Sequence, residues 1–297
     1  MIPDLSISII NTNNRAQVLD CLRSVFANTR QISLEVFVVD NACTDGSADA
    51  IAAEFPQVKL ICNGDKLGFS TNNNLALSQA SGHYLMLLND DTVVLDSTFD
   101  RMVAFMDEHP EAGVVGAALV NPDGSYQGGY DYFPQPLREG LYPWSRFMTP
   151  GVSEKTGPTE VDWVCGACLM VRRQVVEQVG LLDPIFDPLY AEETDWCYRI
   201  HQHGWQIVYL PQARVIHYGS QTMNRTAQWK TESLRRHQAV FFRKHYGARG
   251  VWLFKVALFF SSLIKAIGWG FLGLWQRGAA SQRAGLHLHM ARITRDL

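Results

Sequence analysis

Short apolar segments alternate with longer segments of helical periodicity along the first 120 residues of the chain. The apolar segments lack polar alternation, which is typical of parallel strands covered on both faces. Strands that alternate with helices of this length predict an α/β domain with a mostly parallel, Rossmann-like sheet flanked by helices. The predicted strands are residues 6–10, 34–39, 58–61, 84–88 and 113–119, and the predicted helices are residues 15–28, 45–54, 70–80 and 97–109.

Three of these strands are followed by polar clusters. The clusters are Asn11 and Thr12 after the first strand, Asp40 and Asn41 after the second, and Asn89, Asp90 and Asp91 after the fourth. Ligands of open parallel sheets bind outside the carboxyl ends of the strands, so we expect the clusters to meet in one crevice. The alternative for any single cluster is a turn whose Asp or Asn caps the next helix. Three clusters, two of them acidic, indicate a binding site.

The second half of the chain is less regular. Residues 121–160 are rich in Gly, Pro and aromatic residues, which predicts a loop that covers the crevice, with a disordered linker as the alternative. Regular structure resumes with a strand that turns into a helix ending at Gly180. The isolated Cys-x-x-Cys at residues 165–168 has no second pair, so we expect reduced thiols.

Charge divides the chain into two parts. Residues 1–224 hold 13 basic and 27 acidic side chains, a net charge of −14, whereas residues 225–297 hold 13 basic and two acidic ones, a net charge of +11. We therefore predict a domain at 1–224 and a basic, apolar helical tail at 225–297 that meets an anionic surface. The N-terminal segment carries Asp4 where a signal peptide is basic, which favours a protein that is not secreted.

The tail contains an apolar segment at 251–275 that Lys255 and Lys265 interrupt. Its longest uncharged stretch is shorter than the roughly 20 residues that span a bilayer. We predict a helix that lies in the membrane interface, with basic residues near anionic headgroups. A helical hairpin packed on the first domain and a nucleic-acid-binding tail are the alternatives.

Five segments in order resemble the family-2 inverting glycosyltransferases, which have the GT-A fold, and among them the rhamnosyltransferase-like members. They are "SISIINTNNR", "VFVVDNACTDGS", "GFSTNNNLAL", "LMLLNDDT" and "YAEETDWCYRIHQHGW", and the resemblance covers about residues 5–220. It implies a nucleotide-sugar donor, dTDP-rhamnose or a UDP-sugar, and a lipid-linked or growing cell-surface glycan as acceptor. It also implies a divalent metal, Mg²⁺ or Mn²⁺, and a cytoplasmic location, peripheral on the inner face of the membrane. No nucleic-acid partner is expected.

The resemblance also implies donor-side residues. Asp91 matches the direct metal ligand and His217 a histidine that completes the metal site in some relatives, while Asn89 departs from the first acidic position of the family motif. Asp40 matches the residue that binds the nucleobase. The residues predicted to bind the donor are Asn11, Thr12, Asp40, Asn41, Asn73, Asn89 and Asp90.

The acidic cluster before a helix resembles the catalytic motif. Glu193 takes the position of the general base, although the family usually has Asp there, and Asp195 is the second candidate. Acids in the first turn of a helix also stabilise its dipole, which is the alternative. The predicted acceptor side comprises Trp163, Gly166, Glu192 and Trp196.

Two other functions compete with this interpretation. A sugar nucleotidyltransferase shares the architecture, but would normally carry a Gly-rich, basic phosphate loop where this chain has "NTNNRAQ". A non-catalytic scaffold would retain the fold, but the full set of acids at positions 40, 91, 193 and 195 argues against it.

Overall fold

Each predicted strand and helix of the first 120 residues is present in the structure. The computed structural model describes residues 2–142, 152–219, 227–273, 279–294 and 297. The strands are β1 Leu5–Asn11, β2 Leu34–Asn41, β3 Lys59–Asn63, β4 Tyr84–Asn89, β5 Thr92–Val94, β6 Ala112–Val120, β7 Tyr126–Gly128, β8 Tyr130–Asp131, β9 Thr159–Glu160, β10 Trp163–Val164, β11 Cys168–Arg172 and β12 Gln206–His217. The helices are α1 Arg15–Asn28, α2 Ser47–Glu54, α3 Phe69–Leu77, α4 Thr98–Glu108, α5 Pro136–Gly140, α6 Arg173–Val179, α7 Glu192–Gln202, α8 Ala227–Gly273 and α9 Ala279–Ile293.

The main sheet has the strand order β3-β2-β1-β4-β11-β6-β12-β5. Its long pairings β1–β2, β1–β4, β2–β3 and β6–β12 are parallel, as the alternating pattern predicted. The sheet is nevertheless mixed, because β11 lies antiparallel between β4 and β6. β11 comes from a later part of the chain, so the local pattern carried no sign of this insertion.

Both faces of the sheet are covered, which explains the absence of polar alternation. Met86 and Leu88 of β4 pack in the cluster that contains α1, α2 and α4, while Leu85 and Leu87 pack with α3, α6 and α7. Successive side chains of a strand point to opposite faces, so a strand buried twice must be apolar at every position. Burial on both faces holds the strand ends, and with them the polar clusters, in defined positions.

Contacts divide the chain into two units. The first comprises Met1–Phe133 and Val152–Asn224, and the second comprises Pro134–Gly151 and Arg225–Leu297. The segment that contains α5 belongs to the second unit, because the backbone carbonyl of Glu139 accepts a hydrogen bond from Arg235 of α8 at 3.1 Å. The sequence pattern did not predict this membership, since nothing local connects residues 134–142 with the tail.

The second unit is helical. α8 is interrupted at Gly247, whose φ of 66° and ψ of −166° are not helical. Among the described residues, the stretch Gln228–Gly270 is long and apolar enough to cross a membrane, and 44% of its most apolar window is buried. A core helix of a soluble protein meets the same criterion, so composition alone does not decide how this helix is used.

Candidate active site

The three polar clusters converge at one edge of the sheet. β1 lies between β2 and β4, with Asn11 opposite Asp40 and Ile10 opposite Asn89. Side chains join the strand ends: Asn41 donates to the Thr12 hydroxyl at 3.3 Å. The predicted convergence of these strand ends is therefore confirmed, and the region outside them is the candidate crevice.

Asp40 offers a free acceptor in this crevice. The residue is 5% exposed, and its Oδ1 accepts a hydrogen bond from the Cys43 backbone N–H at 2.9 Å. Its Oδ2 is buried and has no partner among the described residues. A buried carboxylate oxygen without a donor is costly, so this atom is suited to a ligand N–H.

Two other residues that were predicted to bind the nucleotide-sugar donor form hydrogen bonds within the protein. Asn11 is fully buried and donates to the Ser47 hydroxyl at 2.7 Å. The Asn41 amide binds the Leu67 backbone through both its oxygen, at 2.8 Å, and its nitrogen, at 3.2 Å. These contacts hold the turns after β1 and β2 in place.

In this conformation the Asn73 side chain has no free polar group for the nucleotide-sugar donor. It is 2% exposed, its Oδ1 accepts from the Ser8 hydroxyl at 2.8 Å, and its amide nitrogen donates to the Phe69 carbonyl at 3.1 Å. Both ends of the side chain are engaged, so the structure favours a role in holding α3 against β1.

Asp91 and His217 form the predicted metal side. His217 lies opposite Thr92 in the β12–β5 pairing, and its Nε2 is 3.4 Å from Oδ1 of Asp91. The amide nitrogen of Asn89 is also 3.4 Å from this Nε2. A carboxylate and an imidazole fit a divalent ion. The described residues contain no group of three or more His, Cys, Asp or Glu that could hold a metal. The remaining ligands would therefore have to come from a substrate or water, as is usual for Mg²⁺ sites.

Asp90, between Asn89 and Asp91, is a buried acid. Burial and the neighbouring Asp91 raise its pKa from 3.8 to about 7, against the opposing effect of hydrogen bonds from Asn14 and the Thr12 backbone. The Asn14 amide donates to Oδ2 of Asp90 at 3.2 Å. Two carboxyl groups thus lie side by side at the end of β4, and a nearby cation would favour the ionised form of both.

Glu192, which is buried, and Glu193, which is half-buried, begin α7 as an acidic pair. The Oε2 atom of each is buried without a partner among the described residues. Burial raises the pKa of both, and the charge of Glu193 raises that of Glu192 further. A raised pKa and a free oxygen are properties of a general base that works near neutral pH.

Gly166 places Glu193 beside the strand ends. A hydrogen bond from the Gly166 backbone N–H lowers the Glu193 pKa, against the effect of burial, and a Cβ at Gly166 would lie 3.7 Å from that of Glu193. Burial raises the pKa of the adjacent Cys165 to about 12, and the charges of Glu193, Glu192 and Asp91 add to this shift. The candidate base and the candidate metal ligand therefore surround the same turn.

Asp195 has a different environment from Glu193. It is fully buried, and its Oδ2 accepts from Nε of Arg199 at 2.9 Å. Arg199 also donates to the carbonyls of Val179 and Leu181, at 2.6 and 2.8 Å. This network joins α7 to the chain after α6, so the structure favours a stabilising role for Asp195 over its predicted second candidacy as base.

The two tryptophans predicted on the acceptor-sugar side, Trp163 and Trp196, differ in exposure. Trp196 is fully buried and donates to the Gly180 carbonyl at 2.9 Å, which argues against its predicted acceptor-side role. Trp163 is partly exposed and donates to the Tyr132 carbonyl at 3.1 Å. Only Trp163 therefore presents aromatic surface, the kind of surface that can pack against the apolar face of a sugar.

The structure adds one residue near the site that sequence reasoning missed. Asp187 accepts hydrogen bonds from the Ser70 and Thr71 backbone N–H groups, at 2.8 and 3.3 Å, and so caps α3 from a distant part of the chain. The N-cap residue that precedes a helix normally supplies this hydrogen bond from its side chain. The N-cap of α3 is Gly68, which has no side chain. No local signal connects residues 70 and 187.

The mixed sheet covered by helices and the acidic turn after β4 fit the predicted GT-A class of glycosyltransferase fold. A family model described as "Glycosyl transferase family 2" matches residues 6–180, more than half of the chain. The chain belongs to glycosyl transferase family 2, and its similarity within the family is to rhamnosyltransferases.

Two relatives illustrate this similarity. The N-acetylglucosaminyl-diphospho-decaprenol L-rhamnosyltransferase of Mycobacterium tuberculosis is 29% identical over 219 residues, which are 67% of this chain and 70% of that protein. The O-antigen biosynthesis protein RfbC of Myxococcus xanthus is 29% identical over 225 residues, which are 73% of this chain but 17% of that protein. The predicted family is thereby confirmed.

Solved structures share the fold at lower identity. The mannosyltransferase PcManGT from Pyrobaculum calidifontis, in complex with GDP-Man and Mn²⁺, superposes with a TM-score of 0.60 and 16% identity over 99% of this chain and 88% of that one. GalNAc-T7 with UDP, GalNAc and Mn²⁺ has a TM-score of 0.56 and 18% identity, covering 73% of this chain and 44% of that one. The predicted GT-A fold is confirmed.

Proposed function

We propose that this glycosyltransferase is metal-assisted and inverting, and that it transfers a sugar from dTDP-rhamnose or a UDP-sugar to a hydroxyl of a lipid-linked or growing cell-surface glycan. One observation carries the proposal: the buried, unpartnered Oε2 of Glu193 and the Asp91 carboxylate, which His217 accompanies, belong to groups that both lie near the turn at Cys165 and raise its pKa. A general base and a cation site are the two groups that this reaction needs.

The donor side follows from Asp40, Asp91 and His217. The free Oδ2 of Asp40 accepts an N–H of the nucleobase, as uracil and thymine provide between two carbonyls. Asp91 and His217 would hold a divalent ion, Mg²⁺ or Mn²⁺, and a bound ion would supply positive charge against the leaving nucleoside diphosphate. The relative named as an L-rhamnosyltransferase makes dTDP-rhamnose the first donor to test.

Glu193 performs the proton transfer. Its Oε2 removes the proton of the acceptor hydroxyl while that oxygen bonds to the anomeric carbon. The bond from this carbon to the diphosphate oxygen breaks at the same time, and the nucleoside diphosphate leaves with the electron pair. Attack opposite the leaving group inverts the anomeric centre, and no sugar becomes attached to the enzyme. A positioned base contributes roughly 10²–10⁴-fold to the rate.

The second unit supports an acceptor at a membrane surface. In the helix after Gly247, the inward side carries buried apolar residues such as Phe254 together with polar ones: Ser262 is 2% exposed, and Lys255 donates to the Leu297 carbonyl at 3.1 Å. The outward side is apolar. Trp252, Phe260, Ile264 and Ile267 are 62%, 56%, 56% and 52% exposed. A row of exposed apolar side chains in a basic segment favours binding to an anionic bilayer. We therefore propose that the enzyme is a peripheral membrane protein, and keep the cytoplasmic face as its expected location.

Ligand-induced thermal shifts test the site. Asp91→Asn should abolish a Mn²⁺-dependent stabilisation by dTDP or UDP, because it removes the charged metal ligand. The exposed Asp96→Asn serves as the control, and should leave the shift unchanged. The proposal is contradicted if folded wild-type protein shows no metal-dependent shift with dTDP, UDP, GDP or CMP; a scaffold then becomes the better interpretation.

A further inference from the structure

We propose that Gln127 is a positioning residue, which holds the His217 ring with the lone pair of Nε2 directed at Asp91. Gln127 lies on β7, in the hairpin that follows β6, and no motif of the sequence marks it. The inference rests on the proposed metal site, and extends it to a residue that would touch neither donor nor acceptor.

The orientation of the Gln127 amide follows from its partners. Its nitrogen is 2.9 Å from the backbone carbonyl of His217 and 3.0 Å from Oδ1 of Asn121. A backbone carbonyl can only accept a hydrogen bond, so the group that faces it must be the NH₂. The carbonyl end, Oε1, then lies 2.7 Å from Nδ1 of His217.

This orientation determines the tautomer of His217. Oε1 of Gln127 can only accept, so Nδ1 must carry the proton. In the neutral ring Nε2 then has the lone pair, at 3.4 Å from Oδ1 of Asp91. The Asn89 amide nitrogen, also 3.4 Å from Nε2, can donate to this lone pair, whereas Oδ1 of Asp91 and the lone pair repel each other unless a proton or a metal cation lies between them. The hydrogen bond at one ring nitrogen thus prepares the other as a metal ligand.

The backbone around His217 supports the same arrangement. His217 pairs with Thr92 in the β12–β5 ladder, and the backbone N–H of Tyr218 donates to the Asp91 carbonyl at 3.0 Å. These contacts fix the backbone of His217, but they do not fix the side-chain torsion angles that orient its ring. Gln127 contacts both the ring and the backbone carbonyl of His217, and so restrains that rotation.

Two variants of Gln127 and one control test the role. Gln127→Leu removes the acceptor, whereas Gln127→Glu keeps an acceptor for Nδ1–H. The control is Gln212→Leu, because Gln212 is also exposed and also donates to a backbone carbonyl, that of Thr156, at 3.0 Å. It lies on the same strand as His217 without contacting it in any described hydrogen bond.

Two measurements separate positioning from general stability. The first is the tautomer of His217 in metal-free protein, from ¹H–¹⁵N NMR of the imidazole nitrogens with His217→Asn for assignment. The second is the Kd of Mn²⁺, alone and with UDP or dTDP, from electron paramagnetic resonance. We expect Gln127→Leu to move the ring toward the Nε2–H tautomer and to weaken Mn²⁺ binding about 10- to 100-fold. Gln127→Glu should keep the Nδ1–H tautomer, and Gln212→Leu should match wild type in both.

The outcomes distinguish this inference from the proposed function. If Asp91→Asn abolishes Mn²⁺ binding while Gln127→Leu leaves the tautomer and the Kd unchanged, only the role of Gln127 is overturned. If wild type and Asp91→Asn bind Mn²⁺ equally weakly, the proposed metal site fails, while the NMR measurement still decides whether Gln127 sets the tautomer.

Discussion

Replacing the carboxyl group by an amide should reduce activity without loss of stability at Glu193, and should reduce stability more than activity at Asp195. Glu193→Gln removes the proposed base, so transfer should fall roughly 10²–10⁴-fold. Its stability should be unchanged or higher, because burial raises the pKa of the Glu193 carboxyl and ionising it in the folded protein is unfavourable. That penalty develops as the pH rises from the ordinary glutamate pKa to the raised folded-state pKa and is complete above it, so the stability gain of the variant should be larger at pH 8 than at pH 5.

Asp195→Asn should act on stability. It removes the charge that pairs with Arg199 at 2.9 Å, and hydrogen bonds to charged groups contribute about 1.5–3 kcal/mol. For a unit of this size each kcal/mol shifts Tm by about 2–4 °C, so we expect Tm to fall by roughly 3–12 °C. Transfer per folded molecule should change less than in the Glu193 variant, since the Asp195 oxygen is already engaged.

The assay measures release of nucleoside diphosphate in initial-rate conditions, together with thermal unfolding of the same preparations at pH 5 and pH 8. Wild-type kcat/KM should also rise with pH through a pKa above that of an ordinary glutamate, because the base acts only when deprotonated. The reasoning is refuted if Asp195→Asn loses transfer with Tm unchanged while Glu193→Gln remains active.

Three further predictions concern stability, donor and membrane. Burial raises the pKa of Glu35, but hydrogen bonds from a lysine and two serines outweigh it and lower the pKa from 4.5 to about 2. Because the Lys59 partner is largely exposed and solvent screens its charge, Glu35→Gln should cost only about 1–2 kcal/mol at pH 7 in urea unfolding, and the difference should vanish as pH falls from 4.5 toward 2, whereas the exposed Glu54→Gln should change little. Asp40→Asn keeps the Cys43 contact but removes the charged acceptor, so calorimetry should show nucleotide binding weakened about 10- to 150-fold; unchanged binding would remove Asp40 from the nucleobase pocket. Ile264→Asp should reduce co-sedimentation with anionic vesicles about tenfold or more, while Ile185→Asp, of similar exposure in the other unit, should not. Equal loss in both isoleucine variants would contradict a membrane role for the tail.

Local patterns predicted much of the first unit. The strands from β1 to β4 were recognisable because burial on both faces demands continuous apolar runs, and their polar ends stood out against them. The convergence of these ends followed from the parallel arrangement alone. The antiparallel insertion of β11 did not follow, because a strand's partners depend on distant parts of the chain.

The sequence by itself determined the strands, the helices between them and the acids available to a glycosyltransferase, since these depend on side-chain type and local spacing. The tertiary structure decided what each acid can do. Glu193 and Asp195 are two residues apart in the same helix, yet one oxygen is free and the other is paired with Arg199. Likewise, Gln127 and His217 are 90 positions apart and meet only because β7 and β12 both pair with β6. Ionisation, hydrogen bonding and tautomers depend on neighbours in space, and folding alone supplies those neighbours.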